Sequence, residues 1–224
     1  MQTAKSKWLP YLFYALLFAP FIFFTLLMCS KVVPYLSFAH AVNFLSTKTE
    51  ETLQNPVFRL GFYVHITTSA IVLISGLPQF LPSLIRTKPS WHRWSGIAYV
   101  FAILLFAAPS GLLIALFANG GLPAKTGFVM QCLLWWFITL IAYLNVRKKN
   151  YREHINWMIR SYAITLAAMS LRTEGYIMHY FFHTRPIETY VTITWLSWVG
   201  NWFIAEILIT LGLGNYLFKK YSKA

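Results

Sequence analysis

Apolar residues run along this chain in long blocks, broken by short polar stretches. A helix needs about 20 mostly apolar residues to cross a bilayer. Six blocks approach or exceed that length, at about residues 8–29, 61–85, 94–117, 128–146, 157–179 and 190–218. The stretches between them carry turn and charge signals: "RTKPSWHR", "NGGLPAKTG", "RKKNYREH" and "HTRPIE". A longer polar segment fills residues 30–58. The pattern predicts an all-α fold: a six-span helical integral membrane protein, one transmembrane domain over 1–224, with a core bundle of spans two to five.

Composition agrees. Hydrophobic residues make up 58% of the chain and charged residues 11%, against about 25% charged in a soluble domain. The net charge of +13 does not read as a nucleic-acid surface, because the basic residues interrupt apolar runs. Basic residues so placed set topology and meet anionic lipid headgroups. One side of the predicted bundle holds twelve of them: Lys5, Lys7, Arg86, Lys88, Arg93, Arg147, Lys148, Lys149, Arg152, Lys219, Lys220 and Lys223. The other holds five: Lys31, Lys48, Arg59, Lys125 and Arg185. The asymmetry predicts a multi-pass protein of the cell (inner or plasma) membrane with both termini in the cytoplasm. The first block is about 20 residues long and no A-x-A site follows it, so it reads as a retained span, not a signal peptide. Two cysteines, Cys29 and Cys132, are too few for a disulfide framework or a zinc site and read as packed thiols.

The polar residues inside the apolar blocks are the candidates for chemistry, since an ionisable group in a membrane helix is a functional candidate by default. Arg160 lies about one turn into the fifth block, where its stem can snorkel to the surface beside Trp157, which makes both interfacial anchors. Arg172 lies roughly 24 Å from the basic face and His65, on the antiparallel second block, roughly 26 Å. Their common depth predicts a polar ligand site. The plainer reading has Arg172 snorkelling outward and His65 bonded to a backbone carbonyl. Glu206 falls among Trp198, Asn201 and Trp202 and is either a proton site or a hydrogen-bonded helix contact. His92 and His154 each sit at the basic mouth of a span, close to a tryptophan. They read as interfacial residues, or as a facing pair able to bind a metal or haem iron. His179 and His183, four apart, fit one helix face and lack an evident third ligand.

No P-loop, G-x-G-x-x-G, H-E-x-x-H or G-x-S-x-G occurs. Aspartate is absent, which argues against aspartate-dependent magnesium chemistry.

His65, "GLPQF" at 76–80, "HRWSGIAY" at 92–99, "HINWMIRSY" at 154–162 and "LR" at 171–172 together resemble the bacterial membrane proteins called domain of unknown function 2306, over about residues 59–175. The resemblance implies a membrane location and a shared core. It places His65, His92, His154, Arg160 and Arg172 in a family pattern, and it supplies no activity. The chain is also faintly similar to four-helix b-type cytochromes, but no span carries histidines at two depths with partners to match. That argues against two haems and leaves one. Two functions follow as expectations. One is a redox or electron-transfer module binding one b-type haem or a quinone through His92, His154 or His65. The other is a small carrier or sensor for an anionic or lipid-like ligand at His65 and Arg172, with Glu206 as its proton site. The redox partner and the ligand are unknown at this level.

Overall fold

The structure is a computed structural model describing residues 9–38, 42–81, 84 and 87–222. The predicted span start at Trp8, and the charges of Lys5, Lys7, Arg86 and Lys223, lie outside these residues. Among the described residues there are helices and no strands. Helix α1 is Leu9–Val32, the short α2 is Glu50–Gln54, and α3 is Pro56–Gly76, continued by a 3-10 turn to Phe80. Helix α4, Pro89–Phe101, runs through a π-helical segment, Ala102–Ala107, into α5, Ala108–Ala115. Then come α6, Gly121–Arg147, α7, Tyr151–Thr165, α8, Ala167–Phe182, α9, Pro186–Thr210, and α10, Leu213–Ser222.

Four helices among the described residues are long and apolar enough to cross a membrane: Pro56–Phe80, Pro89–Ala115, Gly121–Arg147 and Pro186–Thr210. They begin four to seven residues before the apolar blocks do, because capping chemistry, not hydropathy, starts a helix. At α3 the Asn55 side chain accepts from the backbone N–H groups of Val57 (2.9 Å) and Phe58 (3.3 Å), and Pro56 occupies the first helical position.

Two predicted spans are each divided. The fifth bends at Leu166, between α7 and α8. Thr165 Oγ1 bonds back to the Ser161 carbonyl at 3.1 Å, a contact that bends helices. Asn201 of α9 bridges the bend, donating to the Ala163 carbonyl (3.0 Å) and accepting from Ser170 Oγ (2.9 Å). The sixth stops at Leu211. Gly212 takes a left-handed φ of 93°, which a glycine adopts at no steric cost, and α10 starts afresh.

The central cluster draws its buried side chains from α3 (Val72), α4 (Tyr99, Val100), the π segment (Ile103), α6 (Trp135, Ile138) and α7 (Met158, Tyr162). These helices correspond to the expected core. Large apolar residues such as Phe23, Leu60, Phe137 and Phe203 are exposed around them, as suits a surface bathed in lipid tails. A hydroxyl network threads the cluster. Tyr99 Oη lies 2.9 Å from Ser161 Oγ and 2.8 Å from Thr165 Oγ1. Thr139 Oγ1 is 2.7 Å from Ser161 Oγ, and Trp135 Nε1 donates to Thr165 Oγ1 at 3.1 Å. Buried hydroxyls need such partners, since leaving one unmet costs free energy.

The π segment meets a local limit and has a tertiary partner. In i→i+5 pairing the Leu104 carbonyl would meet the nitrogen of Pro109, which carries no hydrogen. Trp136 of α6 donates its indole N–H to that carbonyl instead, at 3.0 Å.

The segment between α1 and α3 packs on the start of α3 in a hydrophobic cluster of Tyr35, Leu45, Leu53, Phe58 and Phe62. Lys48 pins it to the α5–α6 turn, donating to the Phe117 carbonyl (2.7 Å) and Asn119 Oδ1 (3.0 Å). Burial disfavours its positive form, and the charge of Lys125 adds to that, so its pKa falls from an ordinary 10.5 to about 8. The unfolded chain keeps this proton to higher pH than the folded one. Stability therefore gains from this group as pH rises from about 8 to 10.5. Acylation of Lys48, followed by peptide mass spectrometry, is expected to show a midpoint near pH 8. A midpoint near 10.4, the value of an ordinary lysine, would refute the burial account.

Candidate functional site

The ends of α3 and α6, the starts of α4 and α7, and α10 enclose a cleft of about 1130 Å³ at the basic end of the bundle. Ligand sites are typically about 300–1,000 Å³, mostly apolar, with a few placed polar groups. This one fits that description. Phe80, Ile97, Val100, Phe101, Ile155, Met158, Leu217 and Phe218 form apolar wall, while Gln79, His92, His154 and Tyr143 supply polar groups. Arg93, Arg147 and Lys149 also line it.

Each imidazole is placed by its helix. Lys88 precedes α4, whose first turn starts at Pro89 and sets His92 at the mouth. Asn150 caps α7, its side chain accepting from Glu153 N at 3.4 Å, and His154 follows one turn in. His154 Nδ1 lies 2.8 Å from the Ala142 carbonyl. A carbonyl only accepts, so Nδ1 carries the hydrogen and Nε2 keeps its lone pair in the neutral ring. That is the arrangement in which histidine ligates a metal, its second nitrogen tied to backbone. His92 Nδ1 is buried with no hydrogen-bond partner. The two rings line the same cleft. Gln79 anchors the α4 wall, its Nε2 donating to Ser95 Oγ (2.6 Å) and the His92 carbonyl (3.2 Å).

The other sequence candidates lie elsewhere. Arg160 is engaged as an ion pair: Nε and Nη2 donate to Glu206 Oε1 (2.6 Å) and Oε2 (2.8 Å). Its guanidinium also lies 4.7 Å from the Trp157 ring centre. Trp202 Nε1 adds a third bond to Glu206 Oε1 at 2.7 Å. Glu206 is thus joined to Arg160, and not to His65 and Arg172. Those two bond to different partners. His65 Nδ1 donates to the Ala107 carbonyl at 2.8 Å, and the missing Cβ of Gly111 makes room for its ring beside Cys132. Arg172 is exposed, and its Nη1 donates to the Ala168 carbonyl of its own helix at 2.6 Å. His179 and His183 do not share a helix face: α8 ends at Phe182, and His183 has a left-handed φ of 50°. Among the described residues no group of three or more His, Cys, Asp or Glu could hold a metal ion.

Sequence reasoning missed two contributors to the cleft. Leu217 and Phe218 come from α10, which the hydropathy pattern merges into the sixth span; Gly212 and Gly214 are the breaks in "LGLGNYLFKK" that mark it. Gln79 reads from sequence only as helix-packing glue, yet it shares a wall with His92.

The family described as predicted membrane protein (DUF2306) matches residues 62–209, a stretch that holds every cleft residue except Leu217 and Phe218. No curated protein and no solved structure matches the chain.

Proposed function

We propose, for a chain that belongs to the DUF2306 family of predicted membrane proteins, that its basic-end cleft is the functional site and that it binds a redox cofactor. The cofactor we favour is one b-type haem, which His92 and His154 would hold; a quinone held by the same imidazoles is the other form of this reading. The observation that carries it is the pair of imidazoles on one largely apolar cleft, with His154 already tied through Nδ1 to the Ala142 carbonyl. Bound there, haem would supply one-electron chemistry. The chain would hold the rings, exclude water with Phe80, Val100, Met158 and Phe218, and fix the tautomer of His154. In this reading the protein is one transmembrane unit of six spans in the cell membrane. Both termini and the cleft face the cytoplasm, because the basic residues cluster at that end.

Absorption spectroscopy on protein purified from haem-replete cells is the test. A Soret band is expected, lost in both His92→Ala and His154→Ala. A protein that stays colourless and takes up no added haemin would rule haem out, and a quinone in its solvent extract would then favour that form.

A second reading, a carrier or sensor for an anionic or lipid-like ligand, is favoured by Arg93, Arg147 and Lys149 on the same cleft. Placing such a carrier at His65 and Arg172, with Glu206 as proton site, draws no support from their contacts, because each is engaged with a different partner.

A further inference from the structure

The charge of the cleft lining is one-sided. Among the described residues it includes three basic side chains, Arg93, Arg147 and Lys149, and no carboxylate. The nearest acid in sequence to His154 is Glu153, whose Oε1 accepts from Asn156 Nδ2 at 3.4 Å, and Glu153 is not part of the lining. Arg147 is tethered to the wall: its Nη1 donates to Tyr143 Oη at 3.4 Å, and its guanidinium lies 6.0 Å from that ring's centre. Arg93 sits next to His92 in sequence, and Lys149, two residues beyond the end of α6, has a left-handed φ of 58°. The apolar wall, Val100, Met158 and Phe218 among it, has no charge to offer. A cleft lined by one sign of charge with low-dielectric walls concentrates ligands of the opposite sign. Arginine in particular suits carboxylate and phosphate, whose oxygens match its planar fork.

We infer that the cleft takes an anionic amphiphile: a carboxylate or phosphate head at Arg93, Arg147 and Lys149, and an apolar body against Val100, Met158 and Phe218. This rests on the reading of the cleft as the ligand site and names its ligand class. A bilayer lipid headgroup and a carboxylate-bearing cofactor share this chemistry; a neutral quinone does not.

The test is calorimetric titration of the full chain, in an uncharged detergent, with hexadecyl phosphate and with hexadecanol. These probes share a tail and differ in the head. Hexadecyl phosphate is expected to bind at least tenfold more tightly. Arg147→Gln should weaken it by about tenfold while leaving hexadecanol binding unchanged, and Arg147→Lys should restore most of the loss. Unchanged hexadecanol binding also reports that the variant is folded. Equal affinity for the two probes, no binding of either, or indifference of hexadecyl phosphate to Arg147→Gln overturns the inference. Displacement by haemin would mean that the head site receives a cofactor carboxylate. Resistance to haemin, with anionic phospholipid in the solvent extract, would mean that it receives a bilayer lipid. A colourless protein that prefers hexadecyl phosphate sinks the haem reading and sustains this one. A Soret band without that preference does the reverse.

Discussion

Glu206→Gln is expected to destabilise the protein by about 3–5 kcal/mol, the cost of leaving one partner of a buried ion pair uncompensated. The carboxylate takes two hydrogen bonds from Arg160 and one from Trp202, and glutamine cannot replace the charge that holds them. The Glu206 side chain is 40% exposed and that of Arg160 16%. In water such a pair would be worth about 0–1 kcal/mol. On α9, a helix apolar enough to span the membrane, the expected exposure is to lipid, which does not solvate a guanidinium. Replacing both partners, as Arg160→Met with Glu206→Leu, should recover most of the loss. Reversible unfolding in mixed micelles measures all three proteins. A loss below about 1 kcal/mol for Glu206→Gln would mean that water reaches the pair.

Tyr99→Ala should cost about 3–5 kcal/mol, the range for removing a large buried aromatic side chain. Tyr99 has no exposed surface, its ring packs against Gly76, and its hydroxyl joins Ser161 to Thr165. Tyr99→Phe separates the two contributions. It keeps the ring and strips the hydroxyl, so about 1–3 kcal/mol should be lost where the partners are left unmet. Equal losses for the two variants, measured by the same unfolding titration, would mean that the hydroxyl network, and not packing, dominates this site.

Hydropathy revealed the long helices because twenty apolar residues in a row have few other fates. It did not find their ends, which answer to local signals such as Asn55 and Pro56. Nor could it see the bend at Leu166: Ser161 and Thr165 read as ordinary helix residues until Tyr99, Thr139 and Trp135 arrive from other helices. Depth arithmetic measured height but not direction around the helix axis. It matched His65 to Arg172, yet one turns toward Ala107 and the other lies exposed on α8. The same arithmetic could not match Arg160 to Glu206, because hydropathy carries the sixth span on to about residue 218 whereas α9 ends at Thr210, four residues after Glu206. His92 and His154 were visible as twin helix mouths. The cleft they share was not, because its wall needs α10; the glycines at 212 and 214 mark a break in the sixth block but do not say which helices the next turn packs against.

The six residues from Ala102 to Ala107 act as a phase shifter. An α-helix turns about 100° per residue, so the extra residue per turn of a π segment rotates everything beyond it relative to everything before it. The span from Pro89 to Ala115 thus presents two independently aimed surfaces. Its basic half points His92, Gly96 and Val100 at the cleft, while its far half offers the Ala107 carbonyl and Gly111 to His65. A regular helix of the same sequence could satisfy one of those alignments only by abandoning the other. The angular offset between the two halves is therefore a built-in dimension of the protein, set by the π segment.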